Sequence, residues 1–193
     1  MILKKIKLKV FSIVIVILCG CNPNINNHYD FNPKQFNKIN SQLDNWQLNG
    51  KISWHHKPTN HSAMCYMDWQ KNNKKSKITF RSAMNIKNVT IESDDGKINI
   101  VSSSNNLDEV QKDIQDISKT ISLNLNNLNY WLLGVPNLTN SYLLVKDGFK
   151  QQDWEILYAK YKSYGGFMLP TKITMRNAKS QTVIKIVVSS FIF

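Results

Sequence analysis

Residues 46–54 read "WQLNGKISW", and their apolar side chains recur at every second position. Side chains on a β-strand point alternately to its two faces, so this period places both tryptophans and the aliphatic residues between them on one face. The intervening residues are polar or charged. The stretch therefore predicts an antiparallel strand with one buried face and one solvated face.

The same alternation recurs further along the chain in short runs separated by polar turns, such as "SDDG" at residues 93–96. Repeated short strands with turn residues between them are typical of an antiparallel meander. The runs occupy residues 63–69, 78–80, 89–91, 98–100, 154–158, 173–175 and 184–188.

Three other segments have the three-to-four spacing of helices. The first, "FNPKQFNKINSQL" (31–43), has Asn32 as a candidate N-cap and Pro33 at the first helical position, where its missing N–H is not needed. The others are "NNLDEVQKDIQDISKTI" (105–121) and "LNNLNYWLLGVP" (125–136), which Gly134 and Pro136 should end. The chain is therefore predicted to be α+β and mainly antiparallel β.

The N-terminus has the pattern of an export signal. Four lysines precede an apolar run at 10–18, which is too short to cross a bilayer at roughly 20 residues per span. Leu18-Cys19-Gly20-Cys21 resembles the lipobox of bacterial lipoproteins. That resemblance implies a signal peptide over 1–20 and an N-acyl and S-diacylglyceryl lipid on Cys21. The polar, Pro- and Asn-rich residues that follow predict a flexible tether over 21–30, and the length of the remainder predicts a single domain over 31–193. The alternative is an ordinary secretory signal with incidental cysteines.

Cysteine usage agrees with that division of the chain. If Cys19 leaves with the signal and Cys21 carries lipid, Cys65 is left without a disulfide partner. It lies in phase with Ala63 and Met67, so it is predicted to be a small buried hydrophobic residue.

The formal net charge is +12, with a sequence pI of about 9.6. The lysines are scattered and only two arginines occur, Arg81 and Arg176, so no nucleic-acid partner is predicted. A positive surface suits anionic lipid headgroups or an acidic partner protein, and the lysine excess also fits a compositional bias.

No set of residues in the sequence points to catalysis. His55 and His56 are adjacent and would point to opposite faces of a strand, and no cysteine or carboxylate completes a zinc spacing with His61. Neither a nucleophile motif nor a phosphate-binding loop occurs. We predict no catalytic residue, no metal site, no cofactor beyond the covalent lipid, and no enzyme activity.

Six stretches in order resemble the LolB family of outer-membrane lipoproteins: "WQLNGKI" (46–52), "DWQ" (68–70), "SAMN" (82–85), "LNYWLLGVP" (128–136), "DWEILYAKY" (153–161) and "MLPTKITM" (168–175). The resemblance spans nearly all of the mature chain. It implies an unclosed, or half, β-barrel with about three helices over its concave side and an apolar cavity.

The function implied by the resemblance is lipoprotein transport at the periplasmic side of the outer membrane. A monomer would accept acylated cargo lipoproteins from the periplasmic carrier LolA and insert them among outer-membrane phospholipids. Asn22, the residue after the lipidated cysteine, favours outer-membrane sorting by the same resemblance. Candidate residues for the cavity lining, each also compatible with ordinary core packing, are Trp46, Leu48, Ile52, Met67, Trp69, Phe80, Ile91, Trp131 and Trp154.

The loop "SAMN" takes the place of a protruding Pro-Leu-Gly loop in the family. Ala83, Met84 and Asn85 occupy those three positions, so Met84 is predicted to be an exposed membrane-contact residue. The alternative is a hairpin whose Met84 folds back onto its own core.

Two other classes remain open at this stage. An anchored structural or binding lipoprotein without lipid traffic would have a solid core. An envelope hydrolase would have convergent carboxylates or a histidine-paired nucleophile in a cleft.

Overall fold

The structure of the chain, a computed structural model, describes residues 39, 44–82, 88–95, 97–102, 109–122 and 124–193. Within these ranges the chain forms ten β-strands, two α-helices and one short 3₁₀ helix at Lys57–Thr59. The strands are β1 Asn45–His56, β2 His61–Asn72, β3 Lys75–Arg81, β4 Asn88–Asp94, β5 Lys97–Ser102, β6 Tyr142–Val145, β7 Gly148–Gln151, β8 Trp154–Tyr164, β9 Phe167–Asn177 and β10 Thr182–Ile192. The helices are α1 Glu109–Ser122 and α2 Leu125–Trp131.

All ten strands belong to one antiparallel sheet in the order β5-β4-β3-β2-β1-β10-β9-β8-β7-β6. Each half of the chain is a meander of neighbouring hairpins, and the first and last strands join the halves through the β1–β10 pairing. Among the described residues β5 and β6 are edge strands that do not pair with each other, so the sheet is unclosed. This confirms the predicted mainly antiparallel, unclosed architecture.

The junction of the two meanders contains a β-bulge. The register of β1 against β10 shifts between Asn49 and Gly50. A Cβ atom on Gly50 would lie 2.5 Å from the carbonyl oxygen of Val187, closer than real Cβ contacts come. Only glycine fits at this point, which explains why the run "WQLNGKISW" has no side chain in the middle of its apolar face.

In β1 to β4 and β8 to β10 the apolar face predicted from the period of two is the face that carries the core. In the β3–β4 hairpin, for example, Ile78 lies opposite Ile91 and Phe80 opposite Val89, and all four are buried. Helix α1 packs on this face across β2, β3 and β4. Its buried residues Ile114, Ile117 and Ile121 have the predicted helical spacing. The expectation from the period of two is wrong for the run at 98–100, since Ile98 and Ile100 of the edge strand β5 are exposed.

The number of helices differs slightly from the prediction of about three, because the described residues contain two α-helices. The segment 31–43, which supplied the third, lies outside the described residues except for Ile39, which is helical and buried. Helix α2 ends at Trp131, and Gly134 follows with φ +82°, a left-handed conformation that favours glycine. Neither described helix has the length and apolar character needed for a membrane span.

Candidate functional site

The helix-covered face of the sheet, hereafter the inner face, is the candidate site. All nine residues predicted to line a cavity are buried and belong to one apolar cluster, although they come from six different elements. They are Trp46, Leu48 and Ile52 of β1, Met67 and Trp69 of β2, Phe80 of β3, Ile91 of β4, Trp131 of α2 and Trp154 of β8. Their burial places them together, and their role as an acyl-chain lining stays a prediction.

The first half of the sheet supplies most of this surface. Leu48 lies opposite Trp69 in the β1–β2 register, and Met67 lies opposite Phe80 in the β2–β3 register. Directly opposed side chains on one face of an antiparallel sheet contact each other, so these residues form continuous rows across the strands. The rows combine aromatic, aliphatic and thioether side chains, a composition that adapts to flexible apolar ligands.

The second half of the site is built around Trp131 and Trp154, whose ring centroids lie 6.3 Å apart. Trp131 is fixed from two sides. Its indole Nε1 donates a hydrogen bond to Oε1 of Gln151 at 2.8 Å, and its backbone carbonyl accepts one from the hydroxyl of Tyr158 at 2.8 Å. These bonds tie the end of α2 to β7 and β8.

Gln151 is the centre of a buried polar network that the sequence did not reveal. Besides accepting from Trp131, its Oε1 accepts the backbone N–H of Asn137 at 3.0 Å, and its Nε2 donates to the carbonyl of Asn137 at 2.7 Å and to that of Asn140 at 3.2 Å. Asn137 in turn donates from Nδ2 to Oδ1 of Asn127 on α2 at 3.0 Å. The network holds the "YWLLGVP" segment against the sheet. A lone glutamine in a short strand gives no sequence signal of such a role.

At the other end of the inner face, Trp46 and Trp69 lie with ring centroids 5.5 Å apart, and Phe191 packs 6.4 Å from Trp46. Within the part of the chain that the structure describes, the buried indole nitrogens of Trp46, Trp54 and Trp69 have no hydrogen-bond acceptor. Unpaired buried donors are uncommon in folded proteins. Trp46 and Trp69 at this end, and Trp54 at the other end of β1, therefore differ from the hydrogen-bonded Trp131.

The opposite, outer face of the sheet is polar and solvent-exposed. Its charged side chains form exposed ion pairs, such as Lys77 with Glu92 at 3.2 Å and Arg176 with Glu155 at 3.3 Å. Exposed apolar side chains on its central strands include Met64, Tyr66, Val187, Ile192 and Met168. These apolar side chains stand among charged residues, whereas the inner face carries the buried apolar cluster.

The histidines of the β1–β2 hairpin contact polar side chains of the hairpin itself and of helix α1. Nε2 of His61 lies 2.7 Å from Oδ1 of Asp113 on α1, and Nδ1 of His55 lies 2.7 Å from the hydroxyl of Ser62. No group of three or more metal-ligating side chains occurs among the described residues.

Cys65 is buried, as predicted, and burial raises the pKa of its thiol from an ordinary value of 9.0 to about 12. A thiol that stays protonated at neutral pH is a poor nucleophile.

Comparison with known proteins identifies the family. The sequence model described as "Outer membrane lipoprotein LolB" matches residues 44–190, most of the described chain. The chain belongs to the LolB family. Curated relatives named outer-membrane lipoprotein LolB, from Aeromonas salmonicida (strain A449) and Aeromonas hydrophila subsp. hydrophila, are each 24% identical over 189 residues, covering 93% of this chain and 94% of the relative.

A solved structure also resembles this LolB-family chain. The crystal structure of a LolA superfamily protein, NE2245 from Nitrosomonas europaea, has a TM-score of 0.44 and 16% identity, and it covers 77% of this chain and 86% of that one. The family assignment rests on the sequence matches alone. Family membership makes the chain a lipid-anchored outer-membrane lipoprotein and not an enzyme, as the sequence analysis predicted.

Two predicted sites of this LolB-family chain lie outside the described residues. The first is the lipidation site at Cys21. The second is the loop of Ala83, Met84 and Asn85, which connects β3 to β4 beyond the closing pair Arg81 and Asn88. The exposure of Met84 stays a prediction.

Proposed function

We propose that this chain receives the acyl chains of lipoproteins from the periplasmic carrier LolA on its inner face and passes the cargo into the outer membrane. The observation that supports the proposal is the apolar cluster that the described residues form on one side of an unclosed sheet, with helices above it. A sheet that does not close can admit a ligand between its edges without breaking strand pairs.

The magnitude of the hydrophobic effect explains why a transfer protein needs such a face. Burial of a hydrocarbon chain is worth about 0.8 kcal/mol per methylene, so one sixteen-carbon chain is worth about 12 kcal/mol. Exposing that chain to water between carrier and membrane would impose a barrier of similar size. Contact between two apolar faces removes most of that barrier, and transfer then needs only a gradient of affinity.

The proposal includes the parts of the chain that hold it at the membrane. Residues 1–20 act as the signal peptide, Cys21 carries the N-acyl and S-diacylglyceryl groups, and 21–30 link this anchor to a monomeric domain over 31–193. Met84 contacts the outer-membrane phospholipid when cargo is released. These groups carry three hydrocarbon chains, which give stable anchoring, whereas a single chain binds only reversibly.

The test is transfer of cargo. An acylated lipoprotein loaded on LolA is mixed with the chain from residue 21 on, carrying Cys21→Ala, and the cargo's new partner is identified by pull-down. We expect the cargo to move to this chain. Cargo that stays on a carrier shown to be competent with another acceptor would contradict the proposal and favour an anchored binding or structural lipoprotein.

Delivery to the membrane is tested separately with two methionine variants of the lipidated protein in phospholipid vesicles. Met84→Glu should accept cargo normally and lose delivery to the vesicles. Met64→Glu is the matched control, because Met64 is an exposed methionine on the outer face. Equal delivery by the two variants would remove the role proposed for Met84.

A further inference from the structure

Three residues that carry hydrogen-bond donors are neighbours at one end of the inner face, and we name Trp46, Trp69 and Lys71 the donor corner. In the β1–β2 register Trp46 lies directly opposite Lys71, and Leu48 lies opposite Trp69. Trp69 and Lys71 are two residues apart on β2, so both side chains point to the inner face. The two indole rings are in contact, with centroids 5.5 Å apart.

The two indole N–H groups of the donor corner are buried and, within the described residues, have no hydrogen-bond acceptor. Trp46 is 3% exposed and Trp69 is 0% exposed, and within the described residues neither Nε1 has a hydrogen-bond partner. Trp131, at the other end of the same face, has its Nε1 bonded to Gln151 at 2.8 Å. Trp54, at the other end of β1, is also buried without a partner within the described residues, so the donor corner is distinguished by two such indoles in contact beside a lysine.

Lys71 adds a partly desolvated cation beside these donors. Burial lowers the pKa of its ammonium group from the ordinary value, and the negative charge of Asp44 opposes that shift. The other lysines of the strands are exposed, and three of them, Lys75, Lys77 and Lys150, form ion pairs with acidic side chains. A half-buried lysine in phase with Trp69 is a third donor at the rim of the apolar cluster.

We infer that the donor corner binds the carbonyl oxygens of the ester and amide bonds through which fatty acyl chains are attached. The inference rests on the proposed function, since it names a polar subsite within the proposed acyl-binding face. An acylated ligand has long hydrocarbon chains ending in carbonyl groups that carry lone pairs and no donor. A carbonyl buried without a donor is unfavourable, as is an indole N–H buried without an acceptor. A hydrogen bond from the indole N–H to the carbonyl oxygen satisfies both groups.

The positions of these residues predict the orientation of the bound ligand. The hydrocarbon would extend from the donor corner over the rows formed by Leu48, Met67 and Phe80, which contain no polar side-chain atom. The carbonyl groups would stay at the Trp46 end, with Lys71 nearest to solvent. The donor corner would thus set the direction in which the bound acyl chain lies, in addition to binding it.

The experiment compares two ligands that differ by one carbonyl: 1-monodecanoylglycerol, an ester, and 1-O-decylglycerol, its ether counterpart. The protein is the ¹⁵N-labelled chain from residue 21 on with Cys21→Ala, which retains every described residue. Its five tryptophans give five indole N–H resonances, which single Trp→Phe variants assign. An indole N–H resonance moves downfield when the group acquires a hydrogen-bond acceptor.

We expect both ligands to bind, and only the ester to move the Trp46 and Trp69 resonances downfield. The resonance of Trp131, already bonded, and that of Trp54, at the other end of β1, should respond equally to the two ligands. The ether should bind roughly three- to tenfold more weakly, the usual net worth of about one hydrogen bond. Lys71→Met should reduce the ratio of ester affinity to ether affinity.

The other outcomes separate this inference from the function on which it rests. If both ligands bind with equal affinity and move the Trp46 and Trp69 resonances equally, the acyl-binding face stands and the carbonyl subsite is wrong. If neither ligand binds, the acyl-binding face itself is wrong and the subsite falls with it.

Discussion

Gln151→Leu should be among the more damaging single substitutions in this protein. Gln151 is 1% exposed and its amide group makes four hydrogen bonds, to Trp131, twice to Asn137 and once to Asn140. Leucine has a similar volume and can make none of them. The change leaves the indole N–H of Trp131 and the backbone N–H of Asn137 buried without an acceptor.

The expected loss follows from those two donors. A buried group left unsatisfied costs about 1–3 kcal/mol, so two cost about 2–6 kcal/mol, and the extra apolar surface of leucine offsets roughly 1 kcal/mol of this. Since small domains have about 5–15 kcal/mol of unfolding free energy, the variant should lose a large part of its stability.

Urea unfolding followed by tryptophan fluorescence measures the loss, and the indole resonance of Trp131 reports on the network itself. Gln70→Leu is the matched control, because Gln70 is exposed on β2 and makes one weak bond to Asp68 at 3.3 Å. It should change stability by no more than about 0.5 kcal/mol. A loss below about 1 kcal/mol for Gln151→Leu, with the Trp131 resonance unmoved, would refute the view that this network fixes α2.

Three further predictions concern stability measured by denaturant unfolding. Gly50→Ala should destabilise by about 1–3 kcal/mol, because its Cβ would meet the carbonyl oxygen of Val187; an unchanged midpoint would show that the bulge can relax. The raised pKa of Cys65 gives stability that is complete below pH 9 and is lost as the pH rises to about 12, at up to about 1.4 kcal/mol per pH unit. Cys65→Ala should flatten that decline, and parallel wild-type and variant pH profiles would contradict the assignment. Lys77→Met should change stability by less than about 0.5 kcal/mol, because its pair with Glu92 is solvent-exposed; a loss above 1 kcal/mol would mean a cooperative charge network.

Most of the sheet was predictable because each strand apart from the edge strands β5 and β6 has one buried face. Alternation alone identified the inward residues of β1 to β4, and the spacing of Ile114, Ile117 and Ile121 identified the buried side of α1. Both patterns arise from local backbone geometry: apolar residues recur with a period of two on strands and of 3.6 on helices, and these periods are visible in the sequence. The turn at Asp95, with φ 47°, was likewise marked by the polar residues around it.

The long-range features were not predictable from periodicity. The pairing of β1 with β10 joins residues more than a hundred positions apart, and no local pattern encodes which distant strand a given strand will meet. The strand β6 carries Tyr142, Leu143 and Leu144 all exposed, so it shows no alternation at all. The half-barrel shape was predicted from the family resemblance, because the periodicity of the residues does not indicate it.

In the candidate site, too, the local features were predictable from the sequence and the long-range ones were not. Its apolar residues were identified as inward-facing because they lie on regular strands. The role of Gln151 was missed, since it depends on three partners in a separate loop and helix. Lys71 was also missed, although its phase with Met67 and Trp69 places it on the inner face and a charged residue in an apolar row is a usable signal.

The central claim is that acyl chains lie on the inner face of the sheet, and photocrosslinking tests it directly. A cargo lipoprotein with a diazirine in its acyl chain is loaded on LolA, transferred to the lipid-anchored protein and irradiated, and the crosslinked residues are located by mass spectrometry. The account predicts adducts on inner-face residues, with Met67, Phe80 and Ile91 among them. Adducts confined to the outer-face residues Met64, Tyr66 and Val187 would contradict it.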